Sequence, residues 1–260
     1  MVCWAMPTMK PTPVPTESLT SPPVEDEVGD NSFIVKLITP VIDPDAACNE
    51  VAKVIDGEVG YVLKGLFTKA KIEINHDLTA AARALCGKQK GIACILGTGA
   101  NAGYYNGKKI AKNSPGLGYV LGDEGSGAYL GKKVVQYYLY QTFDEELMAR
   151  FNKRFNTSKD EILNNVYKQP LANRYLASYA IFLSENRGHY MIENIIEDGL
   201  NDFFFTHLYK FKESWKLPIN FVGSVAFGFK DVLKDLCNTY ELELGKVLKA
   251  PMEGLITYHK

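Results

Sequence analysis

Short apolar runs alternate with longer amphipathic segments along most of the chain. Residues 92–96, Ile-Ala-Cys-Ile-Leu, are all apolar, which predicts a strand that is buried on both faces. Apolar or alternating runs predict four further strands, at 33–38, 71–74, 219–222 and 246–248. Strands that are separated by helical segments indicate an α/β fold.

The segments between these strands carry helix signals. Asp144 is a candidate N-cap, and Ser158 with Glu161 fits a capping box. Aromatic residues are dense between 132 and 217, and core packing explains them better than a ligand-binding stripe does. The predicted helices span 45–67, 78–85, 132–143, 144–155, 158–169, 174–183, 188–211, 230–240 and 252–258.

Two glycine motifs follow the buried strand. The first is Gly97-Thr98-Gly99-Ala100-Asn101, where small residues allow a ligand to approach the backbone closely. The second, at 122–127, has the sequence Gly-Asp-Glu-Gly-Ser-Gly and leads into a helix, so that amides and carboxylates suited to phosphate or Mg²⁺ meet at its start. Between the motifs, Asn106-Gly107 predicts a two-residue hairpin turn with a strand on each side, at 104–105 and 108–110. A glycine-rich hairpin without a ligand is the alternative, and the two motifs in this order weigh against it.

The predicted strand 71–74 is followed by Asn75, His76 and Asp77, and an alanine-rich helix comes next. Ligands of open α/β sheets bind outside the carboxyl ends of the strands, so Asp77 is a candidate for catalysis. The alternative is a purely structural N-cap for the helix, because aspartate accepts hydrogen bonds from helical amides. One side chain can serve in both ways.

Composition limits the remaining classes of function. Residues 1–32 hold six of the twelve prolines, which predicts a flexible tail. A net charge of −1 without a basic stripe argues against nucleic-acid binding. The five cysteines are scattered without a Cys-x-x-Cys pair, which favours a reducing, cytoplasmic location over a disulfide framework or a zinc site. No apolar run approaches the roughly 20 residues that span a bilayer, so no membrane partner is expected.

The sequences LGTGANA and GLGYVLGDEGSGAYLGK resemble a phosphate-binding region of the BadF/BadG/BcrA/BcrD ATPase family. The N-acetylglucosamine-kinase-like branch is the most similar, within the superfamily of sugar kinases, actin and heat-shock ATPases. The resemblance runs from about residue 72 to residue 260. It implies a ribonuclease-H-like (actin-like ATPase) fold, with a complete C-terminal lobe at 91–260, a helical insertion at about 132–217 and a truncated N-terminal lobe at 33–90.

The resemblance also implies an ATP-dependent kinase that transfers the γ-phosphoryl group to a sugar hydroxyl, with ATP and Mg²⁺. It implies that Asp77 is the catalytic base. The residues implied for ATP or phosphate are Gly97, Thr98, Gly99, Gly223 and Ser224. Those implied for the sugar are Asn101, Gly116, Leu117, Gly118 and Asp123. No residue is predicted as a direct metal ligand, and Glu124 either holds a water of Mg²⁺ or stabilises its own loop.

Two departures from the family pattern leave other functions open. Ala100 replaces the serine of the usual GTGSN sequence, and no Asp-x-Gly-x-Thr motif occurs in the first 70 residues. One alternative is therefore a catalytically inert relic that still binds sugar or nucleotide. Another is an ATPase that activates a partner enzyme, which the setting of the cysteines disfavours. A small-molecule sugar is the expected partner, and a homodimer is left open.

Overall fold

A computed structural model describes residues 60–67, 69 and 72–260. The predicted tail at 1–32 and the predicted strand at 33–38 lie outside the described residues, as does the predicted helix at 45–67 up to residue 59. Residues 60–66 are helical, as predicted. In the described part of the chain, no helix is long and apolar enough to cross a bilayer.

A five-stranded mixed sheet lies at the centre of the fold, in the order β3-β2-β1-β4-β5. The strand β1 pairs antiparallel with β2, which pairs antiparallel with β3, whereas β4 and β5 continue the sheet in parallel. The strands are β1 (Lys90–Leu96), β2 (Ala100–Asn106), β3 (Ile110–Asn113), β4 (Ile219–Val222) and β5 (Leu244–Leu248). The strands predicted at 92–96, 219–222 and 246–248 are therefore confirmed, as are a strand on each side of the predicted hairpin and the α/β class.

The central strand β1 is buried on both faces, as its sequence predicts. Ile92, Cys94 and Leu96 pack into the larger core, whereas Ala93 points into a smaller core on the opposite face. Side chains alternate between the faces of a strand, so a strand with helices on both sides must be apolar throughout.

Helices cover both faces of this sheet. One helix, α1 (Asp77–Cys86), contributes alanines and Leu85 to the smaller core. The others are α2 (Gly118–Leu121), α3 (Gly127–Leu139), α4 (Glu145–Phe155), α5 (Lys159–Tyr167), α6 (Ala172–Ser178), α7 (Ile181–Glu185), α8 (Tyr190–Phe203), α9 (Ser224–Gly228), α10 (Lys230–Thr239) and α11 (Met252–His259). A π-helical turn (Phe204–Leu208) and a 3₁₀ turn (Lys212–Trp215) follow α8.

Capping and turn residues, which can be recognised in the sequence, set the starts of two helices and the position of the hairpin. Asp144 caps α4 by accepting from the amide of Leu147, and Ser158 caps α5 through the amide of Glu161. The β2–β3 hairpin forms at Asn106-Gly107, but its loop has three residues rather than two. The carboxamide oxygen of Asn106 accepts from the amides of Lys108 and Lys109, which stabilises the longer turn.

Three predicted elements differ from the structure. The strand predicted at 71–74 does not form in the part of the chain that the structure describes, since residues 72–76 belong to no strand there. The predicted helix 174–183 is interrupted and forms α6 and α7. The predicted helix 188–211 ends at Phe203 and continues as the π-helical turn, where buried aromatic residues replace regular helical packing. Pattern alone does not resolve such breaks, because the apolar residues continue through them.

Gly131 sits where α3 meets α6. A Cβ atom at this position would lie 1.9 Å from the carbonyl oxygen of Leu176, which is backbone and has little room to move. We expect Gly131→Ala to lower the free energy of unfolding by about 1–3 kcal/mol, the usual cost of overpacking, as measured by urea denaturation. Gly228→Ala is the control, because a Cβ atom there meets no described atom within 4 Å. Equal stability of the two variants would contradict this account.

Candidate functional site

The carboxyl ends of β1, β4 and β5 meet at one edge of the sheet because these three strands are parallel. The strand β1 is followed there by the turn Gly97–Gly99, and β4 by Gly223 and Ser224. The amide of Gly223 donates to the carbonyl of Leu248 at the end of β5, 3.0 Å away. Ligands of α/β sheets bind at such edges, so both glycine turns lie where a ligand is expected.

The two glycine turns are in contact. Gly223 has a φ of 133°, and a Cβ atom on it would lie 2.1 Å from the carbonyl oxygen of Leu96 and 3.1 Å from the amide nitrogen of Gly97. Only glycine fits a backbone of this conformation and proximity. The side chains of Thr98 and Ser224 are exposed at this edge. The structure therefore brings together the residues that were predicted for phosphate and adenosine.

The amides at the start of α3 are occupied, which corrects their predicted role in phosphate binding. The amides of Gly127 and Ala128 donate to the carbonyls of Gly97 and Thr98, at 2.7 and 3.0 Å. The amide of Tyr129 donates to the hydroxyl of Ser126, which caps the helix. These amides hold the first glycine turn in place, so the helix start acts as a support rather than as an anion site. Sequence could not show this, since the partners are brought together by tertiary packing.

Asp123 lies against the first glycine turn. Its carboxylate accepts a hydrogen bond from the amide of Ala100 at 3.3 Å, and its second oxygen would be 3.1 Å from a Cβ atom on Gly99. Burial raises the pKa of Asp123 above its ordinary value, while the hydrogen bond from Ala100 acts in the opposite direction. A partly buried carboxylate beside an open cleft is suited to accept hydrogen bonds from hydroxyl groups.

A cleft opens beside Asp123. Gly116 and Leu117 line its other side and are exposed, and Gly118 follows them with a φ of 71° at the start of α2. Four of the residues predicted to contact the sugar are therefore adjacent to or within one cleft. The further residues that line it are Ala100, Pro115, Gly122, Glu124, Thr206, His207 and Lys210.

Two polar residues that the sequence did not single out meet here: His207, which lines the cleft, and the buried Ser114 behind it. Nε2 of His207 lies 2.9 Å from a carboxylate oxygen of Glu124, and Nδ1 lies 2.7 Å from the hydroxyl of Ser114. Burial lowers the pKa of His207, and Glu124 raises it by a smaller amount. Of the two roles that were left open for Glu124, the structure supports stabilisation of its own loop. A single histidine within the apolar run 203–208 was the available signal.

Asp77 is the first residue of α1 and is exposed, and the N-cap position belongs to His76. Its carboxylate accepts from the amide of Leu78, 2.7 Å away. Leu78 packs beside Gly103 of β2, whereas the Sγ atom of Cys86 lies near Gly91 at the start of β1. The N-terminal end of α1 therefore points towards the edge that carries the glycine turns. Leu78 lies level with Ala93 in the middle of β1, so the placement of Asp77 at the ligand-binding edge stays a prediction.

Asn101 is on the same face of the sheet as α1. Gly103 faces Leu78 of that helix, and residues two apart on a strand share a face. The carboxamide oxygen of Asn101 accepts from the amide of Ala102 at 2.9 Å, and the side chain is partly exposed. Asn101 is thus positioned on the side of the sheet from which Asp77 approaches.

Among residues 72–260 and the described residues before them, no group of three or more His, Cys, Asp or Glu side chains is arranged to hold a metal ion. The two acidic side chains at the cleft already have partners, since Asp123 accepts from Ala100 and Glu124 pairs with His207. This donor set fits Mg²⁺ that is held mainly by phosphate oxygens and water.

Comparison with known proteins identifies the class. No protein-family model matches the chain, and no curated protein matches it. A solved structure named "putative N-acetylglucosamine kinase" from Porphyromonas gingivalis is 36% identical, with a TM-score of 0.77, over 82% of this chain and 75% of that one. A second structure of the same description, from Chromobacterium violaceum, is 19% identical with a TM-score of 0.55, over 71% of this chain and 64% of that one.

The sheet order, the paired glycine turns and these similarities define a ribonuclease-H-like fold of the sugar-kinase and actin-like ATPase superfamily. The fold class that was predicted from sequence is confirmed. The chain belongs to the same family as the Porphyromonas gingivalis protein. Its assignment to the BadF/BadG/BcrA/BcrD family stays a prediction, because no family model matches it.

Proposed function

We propose that this protein is an ATP-dependent sugar kinase of the N-acetylglucosamine type, which phosphorylates a sugar hydroxyl. The observation that carries the proposal is the contact between the two glycine turns at the sheet edge, with Asp123 and its cleft directly beside them. Phosphoryl transfer depends on positioning the phosphates and the acceptor hydroxyl next to each other, and this edge offers a surface for each. The 36% identity to the Porphyromonas gingivalis protein supports the same function.

We infer that Asp77 is the general base. Its exposed carboxylate lies at the N-terminal end of α1, where nothing prevents a sugar hydroxyl from approaching it among the described residues. A carboxylate accepts the hydroxyl proton as the oxygen attacks the γ-phosphorus. The hydrogen bond from the amide of Leu78 fixes one oxygen and leaves the other for the substrate.

The sugar is proposed to occupy the cleft beside Asp123. The carboxylate of Asp123 can bind hydroxyl groups, and Gly116 leaves space for the ring. Asn101 and Gly118 do not line the cleft themselves, and we propose that they contact the sugar at its margin. Leu117, with an exposed side chain, would cover an apolar face of the sugar. Ala100 contributes an amide but no hydroxyl, and this amide is already bonded to Asp123.

The nucleotide is proposed to bind across the two glycine turns. The backbone of Gly97 and Gly99 and the hydroxyl of Thr98 would contact phosphates, and Gly223 with Ser224 would contact the adenosine. Mg²⁺ would accompany the nucleotide, neutralising the phosphate charge without a dedicated cage of protein ligands.

The direct test is product formation. The purified chain is incubated with Mg-ATP and a panel that contains N-acetylglucosamine, glucosamine and glucose, and sugar phosphate is detected by mass spectrometry. Phosphate transfer to N-acetylglucosamine in preference to the others is the expected result. ATP hydrolysis that is independent of every sugar would contradict the proposal and favour an ATPase.

One observation favours an inert relic as the second candidate. No Asp-x-Gly-x-Thr motif occurs in the first 70 residues, and the resemblance assigns phosphate and Mg²⁺ contacts to that motif. Loss of such contacts removes several kcal/mol of transition-state stabilisation, and each 1.36 kcal/mol is about tenfold in rate. Binding of sugar or ATP without any product would identify the relic.

Binding of Mg-ATP is expected even if turnover is slow, because both glycine turns are formed. Isothermal titration calorimetry should show a weak site for Mg-ATP. Thr98→Ala should raise its Kd roughly 10-fold, because one hydrogen bond to a charged phosphate is lost. Thr157→Ala is the control, a threonine that bonds Glu161 at the helix α5 instead. If the parent chain binds no nucleotide at millimolar concentration, the nucleotide-site assignment is wrong.

A further inference from the structure

His207 joins three separate segments of the chain at the cleft. It lies in the π-helical turn Phe204–Leu208, Glu124 lies in the loop before α3, and Ser114 directly follows β3. Ser114 is itself anchored, since its amide donates to the carbonyl of Ala102 at 2.9 Å. Only 4% of His207 and 1% of Ser114 are exposed, so these hydrogen bonds are protected from water.

The chemistry of the three partners favours one direction for each hydrogen bond. A carboxylate oxygen accepts, so the tautomer of His207 with its proton on Nε2 satisfies Glu124. A neutral imidazole then has an acceptor at Nδ1, and the hydroxyl of Ser114 donates to it. The burial that lowers the pKa of His207 favours this neutral form. The result is a single oriented relay from Ser114 through His207 to Glu124.

This relay is not a hydrolytic triad. Ser114 is almost completely buried, which leaves no space for a carbonyl substrate to approach its hydroxyl. The serine also contacts Nδ1, whereas the acidic residue contacts Nε2, which is the reverse of the arrangement in a serine hydrolase. What the relay does is join the loop that carries Glu124 to the π-helical turn and to the end of β3.

We propose that His207 is a positioning residue for sugar binding, which holds the loop of Glu124 so that the adjacent Asp123 faces the cleft. Asp123 has a positive φ of 58°, which is uncommon outside glycine although aspartate adopts it more readily than most residues. Its own backbone carbonyl accepts from the amide of Ser126, 3.0 Å away, and its carboxylate accepts from Ala100. The hydrogen bond from His207 to Glu124, the residue after Asp123, also holds this loop in place. This inference rests on the proposed function.

The test compares three substitutions of His207 in the full chain. His207→Phe preserves a ring but removes both hydrogen bonds, His207→Gln can still donate to Glu124, and His207→Asn is too short to do so. His207→Phe and His207→Asn should raise the KM for the sugar roughly 10- to 100-fold, the value of a hydrogen bond to a charged group, with the KM for Mg-ATP unchanged. His207→Gln should restore most of the affinity. Ser114→Ala removes only one of the two hydrogen bonds of His207, so it should raise the KM for the sugar less than His207→Phe does.

His189→Gln is the matched control. His189 also bonds a carboxylate, that of Asp144 at 2.8 Å, but it joins the starts of α8 and α4 and does not line the cleft. This variant should change the Tm without changing the KM for the sugar. If His207→Phe lowers the Tm and leaves the KM for the sugar unchanged, or if Gln is as harmful as Phe, the positioning role is overturned.

Amide hydrogen exchange separates this inference from the proposed function. In His207→Phe the amides of Ala100 and Ser126, which bond Asp123, should exchange faster than in the parent, while that of Leu147 in α4 should not change. If the parent phosphorylates no sugar, the kinase proposal fails, and this local exchange alone decides whether His207 positions Asp123. Unchanged exchange at both amides would refute the inference even in an active enzyme.

Discussion

Asp77→Asn is expected to lower the turnover number for sugar phosphorylation by about 10²–10⁴-fold, which is the usual contribution of a general base. Asparagine has the same shape and its oxygen can still accept from the amide of Leu78, so the start of α1 should be retained. It cannot, however, take up the proton of the sugar hydroxyl. Sugar phosphate is measured by mass spectrometry under conditions that saturate both substrates.

Asp160→Asn serves as the control for this experiment. Asp160 is likewise an exposed acidic residue in the first turn of a helix, α5, and the structure places it outside the candidate site. Its substitution should leave the turnover number unchanged. Equal and measurable turnover in the parent and in Asp77→Asn would remove Asp77 from the mechanism, whereas no turnover in either protein would favour the relic.

Gly223→Ala is the second substitution with a large expected effect. The added Cβ would lie 2.1 Å from the carbonyl oxygen of Leu96, on a residue whose φ of 133° alanine rarely adopts. Backbone strain and overpacking cost about 1–3 kcal/mol each, so we expect the free energy of unfolding to fall by about 3 kcal/mol or more. Because the glycine turns touch, binding of Mg-ATP should be lost as well.

Urea denaturation measures the stability of this variant, and calorimetry measures nucleotide binding at a temperature where circular dichroism shows it to be folded. Gly228→Ala is the control, since Gly228 ends the helix α9 that Gly223 precedes, and its Cβ would meet no described atom within 4 Å. A stable Gly223→Ala variant that binds Mg-ATP normally would show that the close approach of the two turns is unimportant.

The sequence by itself determined the main features of the fold. The wholly apolar run 92–96 forms β1. Both faces of this strand are covered by other elements, so neither face needs polar side chains to contact water. Capping residues set the starts of α4 and α5 through contacts within one turn, which are readable locally. The glycine motifs also indicated where ligands are expected, since small residues and turns at strand ends have few other uses. The N-terminal segments that were predicted at 1–59 lie outside the described residues.

Only the tertiary structure decided how the candidate site is assembled. The start of α3 looked like an anion site in sequence, but packing directs its amides to the carbonyls of Gly97 and Thr98. The relay from Ser114 through His207 to Glu124 joins residues that are up to 93 positions apart, and no local pattern relates them. The contact of Gly223 with Leu96 likewise arises because β1 and β4 are neighbours in the sheet. Local propensity specifies the elements, whereas hydrogen bonds between distant segments form only after the hydrophobic faces have brought those elements together.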